Sequence, residues 1–105
     1  MQRDILLDKL ALLKDELSSR GFKLIGLFGS YARNNSHASS DIDLLYEIED
    51  IQTYLKEYSG WNSINHLVET KEYLSKVLGQ DVDFADIHAM DPIIKKGILM
   101  DLIYV

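Results

Sequence analysis

Two apolar runs joined through a Gly-Ser turn most constrain what this 105-residue chain can fold into. The first run, Leu24-Ile25-Gly26-Leu27-Phe28, delivers the chain into Gly29-Ser30. The second follows Asp41 as Ile42-Asp43-Leu44-Leu45-Tyr46. Both are short, apolar and bounded by polar or turn-forming residues, so both read as strands. Asp41 and Asp43 leave the second strand on one face, roughly 6–7 Å apart at the backbone. Ile42 and Leu44 then point the other way, toward a core. Backbone amides of a turn, set opposite a carboxylate pair, suit a polyphosphate carrying a divalent metal.

The rest of the chain supplies a frame for these strands. Leu6, Leu10, Leu13 and Leu17 recur at helical spacing and predict a helix over 4–19, with Asp4 as N-cap and Gly21 as the stop. The first strand is Phe22–Phe28, residues 31–34 fit one helical turn, and Asn35–Ser40 form a polar loop. The second strand is Ile42–Ile48. Residues 49–62 fit a short helix and then a loop around Ser59-Gly60-Trp61-Asn62. Ile64, Leu67, Val68, Leu74 and Leu78 mark a further helix that Gly79 ends. Asp81–Ile87 alternates strictly, which predicts a third strand with carboxylates on one side. Asp91-Pro92 reads as an N-cap with proline at the first helical position. A helix from 92 to about 100 and a short strand at Leu102–Val105 close a single domain over 1–105.

Composition narrows the function classes. The chain is 47% hydrophobic and 27% charged, as expected of a soluble globular protein. Charges interrupt every apolar run, so no membrane span is expected. Met1-Gln2-Arg3-Asp4 does not read as a signal peptide. The absence of cysteine excludes disulfides, thiol nucleophiles and zinc-thiolate sites, and fits a cytoplasmic chain. A net charge of −6 argues against wrapping duplex nucleic acid, so no direct DNA binding is expected. The phosphate loop of P-loop nucleotidases, the Gly-x-Ser-x-Gly elbow and the Gly-x-Gly-x-x-Gly turn are all missing, and Asp41-Ile42-Asp43 lacks the rest of an EF-hand loop.

Gly29 lets the backbone approach a ligand, while Ser30 adds a hydroxyl and following amides can seat phosphate. Most Gly-Ser pairs are plain turns; this one gains force from its place at a strand end before two carboxylates. Asp41 and Asp43 can share divalent metal, or simply face solvent from an edge strand. Asp83 supplies a third carboxylate if its strand pairs beside 42–48, ligating metal and helping to deprotonate an acceptor hydroxyl. Asp81 has the same parity but lies at the strand's start, and Asp86 has the opposite parity. Three converging carboxylates repel without a cation, which favours a metal. Arg33 fits either a bidentate phosphate donor or a solvated loop residue. Ser39 and Ser40 fit phosphate contact, or a cap or turn role equally well. Tyr31 packs over the turn. His37, His66 and His88 lack metal-ligand spacing and fit surface or satisfied polar positions. Tyr46, Tyr54, Tyr58, Trp61 and Tyr73 suit core or partner surface better than base stacking.

Gly29-Ser30, ten intervening residues and Asp41-Ile42-Asp43 together resemble the signature of the DNA polymerase β-type nucleotidyltransferase superfamily. Phe28-Gly29-Ser30-Tyr31-Ala32-Arg33 and Ser40-Asp41-Ile42-Asp43-Leu44-Leu45 are similar to its minimal nucleotidyltransferases. Val82-Asp83-Phe84 resembles the strand that brings the third carboxylate. The ending from Asp91-Pro92-Ile93-Ile94 through Gly97-Ile98-Leu99 to Tyr104 resembles the antitoxin branch paired with HEPN-domain toxins. One departure is Asn34, where the family often has glycine after the motif arginine; asparagine tolerates left-handed backbone.

This resemblance implies an α/β (α+β) polymerase β-like fold, a small mixed sheet flanked by helices, with ATP as substrate and Mg²⁺ as cofactor. Gly29 and Ser30 would hold the triphosphate, Asp41 and Asp43 would bind metal, and Asp83 would complete the site and activate the acceptor. In the antitoxin branch, AMP passes to a tyrosine of the HEPN ribonuclease toxin and silences it. Two other functions compete. One is a non-catalytic antitoxin that only masks its partner. The other is a nucleotidyltransferase acting on a small molecule or RNA through a separate binding subunit.

Overall fold

The computed structural model describes residues 1–105. Along the chain it forms α1 (Arg3–Ser19), β1 (Phe22–Phe28), α2 (Gly29–Ala32), β2 (Ile42–Ile48) and α3 (Ile51–Glu57). Then follow α4 (Trp61–Leu78), β3 (Val82–Asp86), α5 (Pro92–Asp101) and β4 (Ile103–Tyr104). The four strands make one sheet in the order β3-β2-β1-β4. β1 runs antiparallel to both β2 and β4, whereas β2 and β3 are parallel. A parallel pair needs a long crossover, and α3 with α4 supplies it. The expected mixed sheet flanked by helices is therefore the architecture found.

The sheet buries one face beneath α1 and α4. Leu6, Leu10 and Leu17 of α1 have no exposed surface, and they join Leu24 and Leu27 of β1 in the core. Each such side chain contributes about 1.5–3 kcal/mol by leaving water. Ile42, Leu44 and Tyr46 enter the same core from alternate positions of β2. At one end Phe22 meets Tyr46 edge-on, with ring centres 5.0 Å apart, and stacks beside His66 at 5.3 Å. His66 is satisfied there, its Nε2 lying 2.7 Å from the carbonyl of Arg20. No helix is long and apolar enough to cross a membrane.

Several boundaries differ from expectation for identifiable reasons. Gln2, not Asp4, holds the N-cap position of α1, and it makes no side-chain cap; Asp4 lies in the first turn, where its charge complements the helix dipole. The helical turn is 29–32 rather than 31–34, because Gly29 takes φ +77° and starts it directly at the strand end. Asn34, at φ 61°, occupies the left-handed region that its short polar side chain tolerates. The segment 49–62 contains α3, capped by the Asp50 carboxylate accepting from the N–H groups of Gln52 and Thr53. Trp61 and Asn62 belong to α4 rather than to a loop. β3 is a residue shorter at each end than predicted, and β4 is confined to Ile103–Tyr104.

Candidate active site

The buried face of β2 alternates with a second face that carries Asp43, and this parity builds the site. Cross-strand register sets Asp43 opposite Phe28 on β1 and opposite Asp83 on β3. Phe28 is the last residue before the Gly29 turn, so pairing alone brings that turn to the carboxylate. The approach is close enough that a Cβ built on Gly29 would meet Asp43 Oδ2 at 2.0 Å. Glycine is required here twice over, for this contact and for its positive φ. The same strand pairing leaves Asp41 just ahead of β2, exposed to solvent.

Asp43 feels these neighbours. Its carboxyl is pushed up from 3.8 to about 6, first by burial, then by the charges of Asp83 and Asp41 and a hydrogen bond with Asp83. Arg33 pulls it back down. A carboxylate so crowded by like charge favours a cation nearby. Asp83 itself is open to solvent and lies 3.9 Å from Lys71 Nζ, which reaches it from α4.

The remaining predicted residues lie around this face. Ser30 is half-buried in the first turn of α2. Arg33 follows α2 and donates from Nη1 to Asp101 Oδ2 at 2.9 Å, tying the turn to α5. Ser40 sits in the loop before Asp41, where its hydroxyl accepts from the His37 N–H at 2.9 Å. Ser39 bonds the His37 ring. Tyr31 is fully buried and its hydroxyl donates to Gln80 Oε1, locking α2 against the turn that enters β3. Asp81 has its carbonyl bonded by the Ile42 N–H, and the Asp86 carboxylate accepts from the His88 N–H.

As the side chains stand, no three Asp, Glu or His residues converge into a ligand cage. Asp41, Asp43 and Asp83 nevertheless fit a hard divalent cation in chemistry: all are oxygen donors, and a cation would relieve the repulsion felt by Asp43. Three residues at the site escaped sequence reasoning: Lys71, Gln80 and Asp101. Each acts through a partner distant in sequence, and no local pattern marks such a pair.

Residues 12–105 match the family described as Polymerase beta, Nucleotidyltransferase. The chain is 36% identical over 93 residues to the protein adenylyltransferase MntA of Thermococcus cleftensis, covering 88% of this chain and 84% of that protein. It is 40% identical over 104 residues to MJ0128 of Methanocaldococcus jannaschii, a candidate protein adenylyltransferase by name, covering 98% and 93%. Among solved structures, a candidate minimal nucleotidyltransferase superposes with a TM-score of 0.76 at 23% identity, covering 100% of this chain and 97% of the other. A toxin–antitoxin crystal structure with AMP-PNP gives 0.68 at 23% identity, over 92% and 69%. At these identities the two structures speak to the fold.

Proposed function

This chain belongs to the polymerase beta nucleotidyltransferase family, and from that premise we propose that it transfers AMP from ATP to a hydroxyl of a partner protein. The observation that carries this reading is the position of Asp43, which touches the Gly29 turn and pairs in register with Asp83. Support also comes from relatives named as protein adenylyltransferases.

In the reaction, an acceptor hydroxyl oxygen bonds to the α-phosphorus of ATP. The bond from that phosphorus to the α,β-bridging oxygen breaks, and pyrophosphate leaves with the electron pair. Gly29 and Ser30 hold the triphosphate through the backbone and hydroxyl of the turn, with Arg33 as a further donor and Ser40 bracing the loop. Asp83, exposed at the sheet's open edge, takes the proton of the acceptor hydroxyl. Asp41, Asp43 and Asp83 would hold Mg²⁺. That ion supplies charge neutralisation and Lewis acidity when bound.

The partner we infer is a HEPN ribonuclease toxin, with a tyrosine as acceptor, and this chain is its antitoxin. The C-terminal resemblance and the fold shared with a toxin–antitoxin assembly support this pairing. A neutralisation assay tests it. The toxin's RNA cleavage is followed after treatment with the wild-type chain or Asp43→Asn, each with and without ATP and Mg²⁺. Neutralisation that needs ATP and fails with Asp43→Asn supports transfer. Neutralisation by Asp43→Asn without ATP would replace the enzyme with a masking antitoxin.

A further inference from the structure

Arg33 leaves the Gly29 turn directly, its own N–H bonding the Gly29 carbonyl at 3.1 Å. Its guanidinium then crosses to α5, where Nη1 donates to Asp101 Oδ2 at 2.9 Å. These partners are 68 residues apart in sequence. α5 packs against α2 and β1 with no buried residue of its own, and β4, which follows it directly, pairs with β1 and holds the Asp101 end of the helix near the turn. The guanidinium is planar with five N–H donors, and Asp101 engages it through Nη1 alone. The other donors are available, and the charge they carry acts on Asp43.

We propose that Asp101 is a positioning residue: it holds the Arg33 guanidinium beside the carboxylate face so that its free donors meet the triphosphate. This rests on the nucleotide reading of the Gly29 turn. A long side chain held in one orientation before binding loses less rotamer freedom when phosphate arrives. Orientation and charge predict opposite signs. Were Asp101 only a nearby negative charge, its removal would tighten nucleotide binding; as a positioning residue, its removal weakens it.

The test is a double-mutant cycle on the affinity of a non-hydrolysable ATP analogue with Mg²⁺, measured by calorimetry. Asp101→Ala should weaken binding about fivefold, the scale of one partly exposed ion pair. In the Arg33→Ala background the same substitution should change nothing. In turnover the loss should raise KM for ATP and leave kcat within about twofold, as lost ground-state grip does. Asp101→Asn, which keeps an acceptor oxygen, should stay within about twofold of wild type, the hydrogen bond surviving. Equal or tighter binding by Asp101→Ala overturns the proposal, as does an unchanged loss in the Arg33→Ala background or an Asn variant as weak as Ala. A wild-type chain that fails to bind the analogue overturns the nucleotide reading itself.

Discussion

Gly29 and Asp43 approach so closely that a single methyl group on the glycine would overlap the carboxylate, with Oδ2 only 2.0 Å from the added carbon. The turn that would seat phosphate and the carboxylate that would seat a cation are thus one packed unit. Gly29→Ala must then strain a φ of +77° and displace Asp43 together. We expect it to lower stability by roughly 1–3 kcal/mol in chemical denaturation. Transfer should be lost in the same variant, even where enough folded protein remains to assay. Retained activity would mean that the turn tolerates a second carbon and is not held against Asp43.

Asp43 also predicts a pH dependence. Its carboxyl titrates near 6 in the folded chain against 3.8 as its ordinary value, so the folded state binds the proton more tightly. Stability from this group is present below pH 4 and is lost as pH rises through about 6. Asp43→Asn has no such loss. Urea denaturation of the metal-free proteins should therefore show the variant gaining on wild type between pH 4 and 6.5. Solvent around the half-buried carboxyl makes the gain modest. A gap that stays constant across that range would contradict the burial of Asp43 and its crowding by Asp83 and Asp41.

Asp83 is open to an acceptor, at 62% side-chain exposure. Its removal as Asp83→Ala should cut the transfer rate by about 10²–10⁴-fold, the range for a lost proton acceptor. Nucleotide affinity, measured separately, should fall far less. Equal losses in both would show that Asp83 serves binding and not the hydroxyl.

Phe22 anchors the end of the core remote from the Gly29 turn, with its ring 5.4 Å from Phe84 and 5.7 Å from Tyr54. Phe22→Ala should cost about 3–5 kcal/mol in denaturant unfolding. A loss under 1 kcal/mol, on the scale of a tolerated swap, would mean that the aromatic cluster repacks easily.

The strands and the carboxylate parity were legible because period-two alternation decides which face a residue takes. Alternation sets Asp43 opposite Ile42 and Leu44 on its own strand, but Asp83 joins it only because β3 pairs with β2 in that register. Asn34 was legible too, since its residue type suits the left-handed backbone that it adopts. Helix starts were harder. Asp4 read as a cap and is not one, whereas Asp50 caps α3, because a cap depends on where the preceding backbone turns extended. Least legible were Lys71 on Asp83 and Asp101 on Arg33. Those pairs depend on where α4 and α5 pack against the sheet, and packing is decided by the whole core rather than by the charged residues themselves.

Whether the Asp41, Asp43 and Asp83 face transfers AMP to a partner protein is read from the partner's intact mass. The chain is incubated with ATP, Mg²⁺ and the protein encoded beside it, and the partner is then weighed. Transfer predicts a gain of whole AMP units on the partner, abolished by Asp41→Asn. An unmodified partner held in a tight complex, with or without ATP, would contradict it.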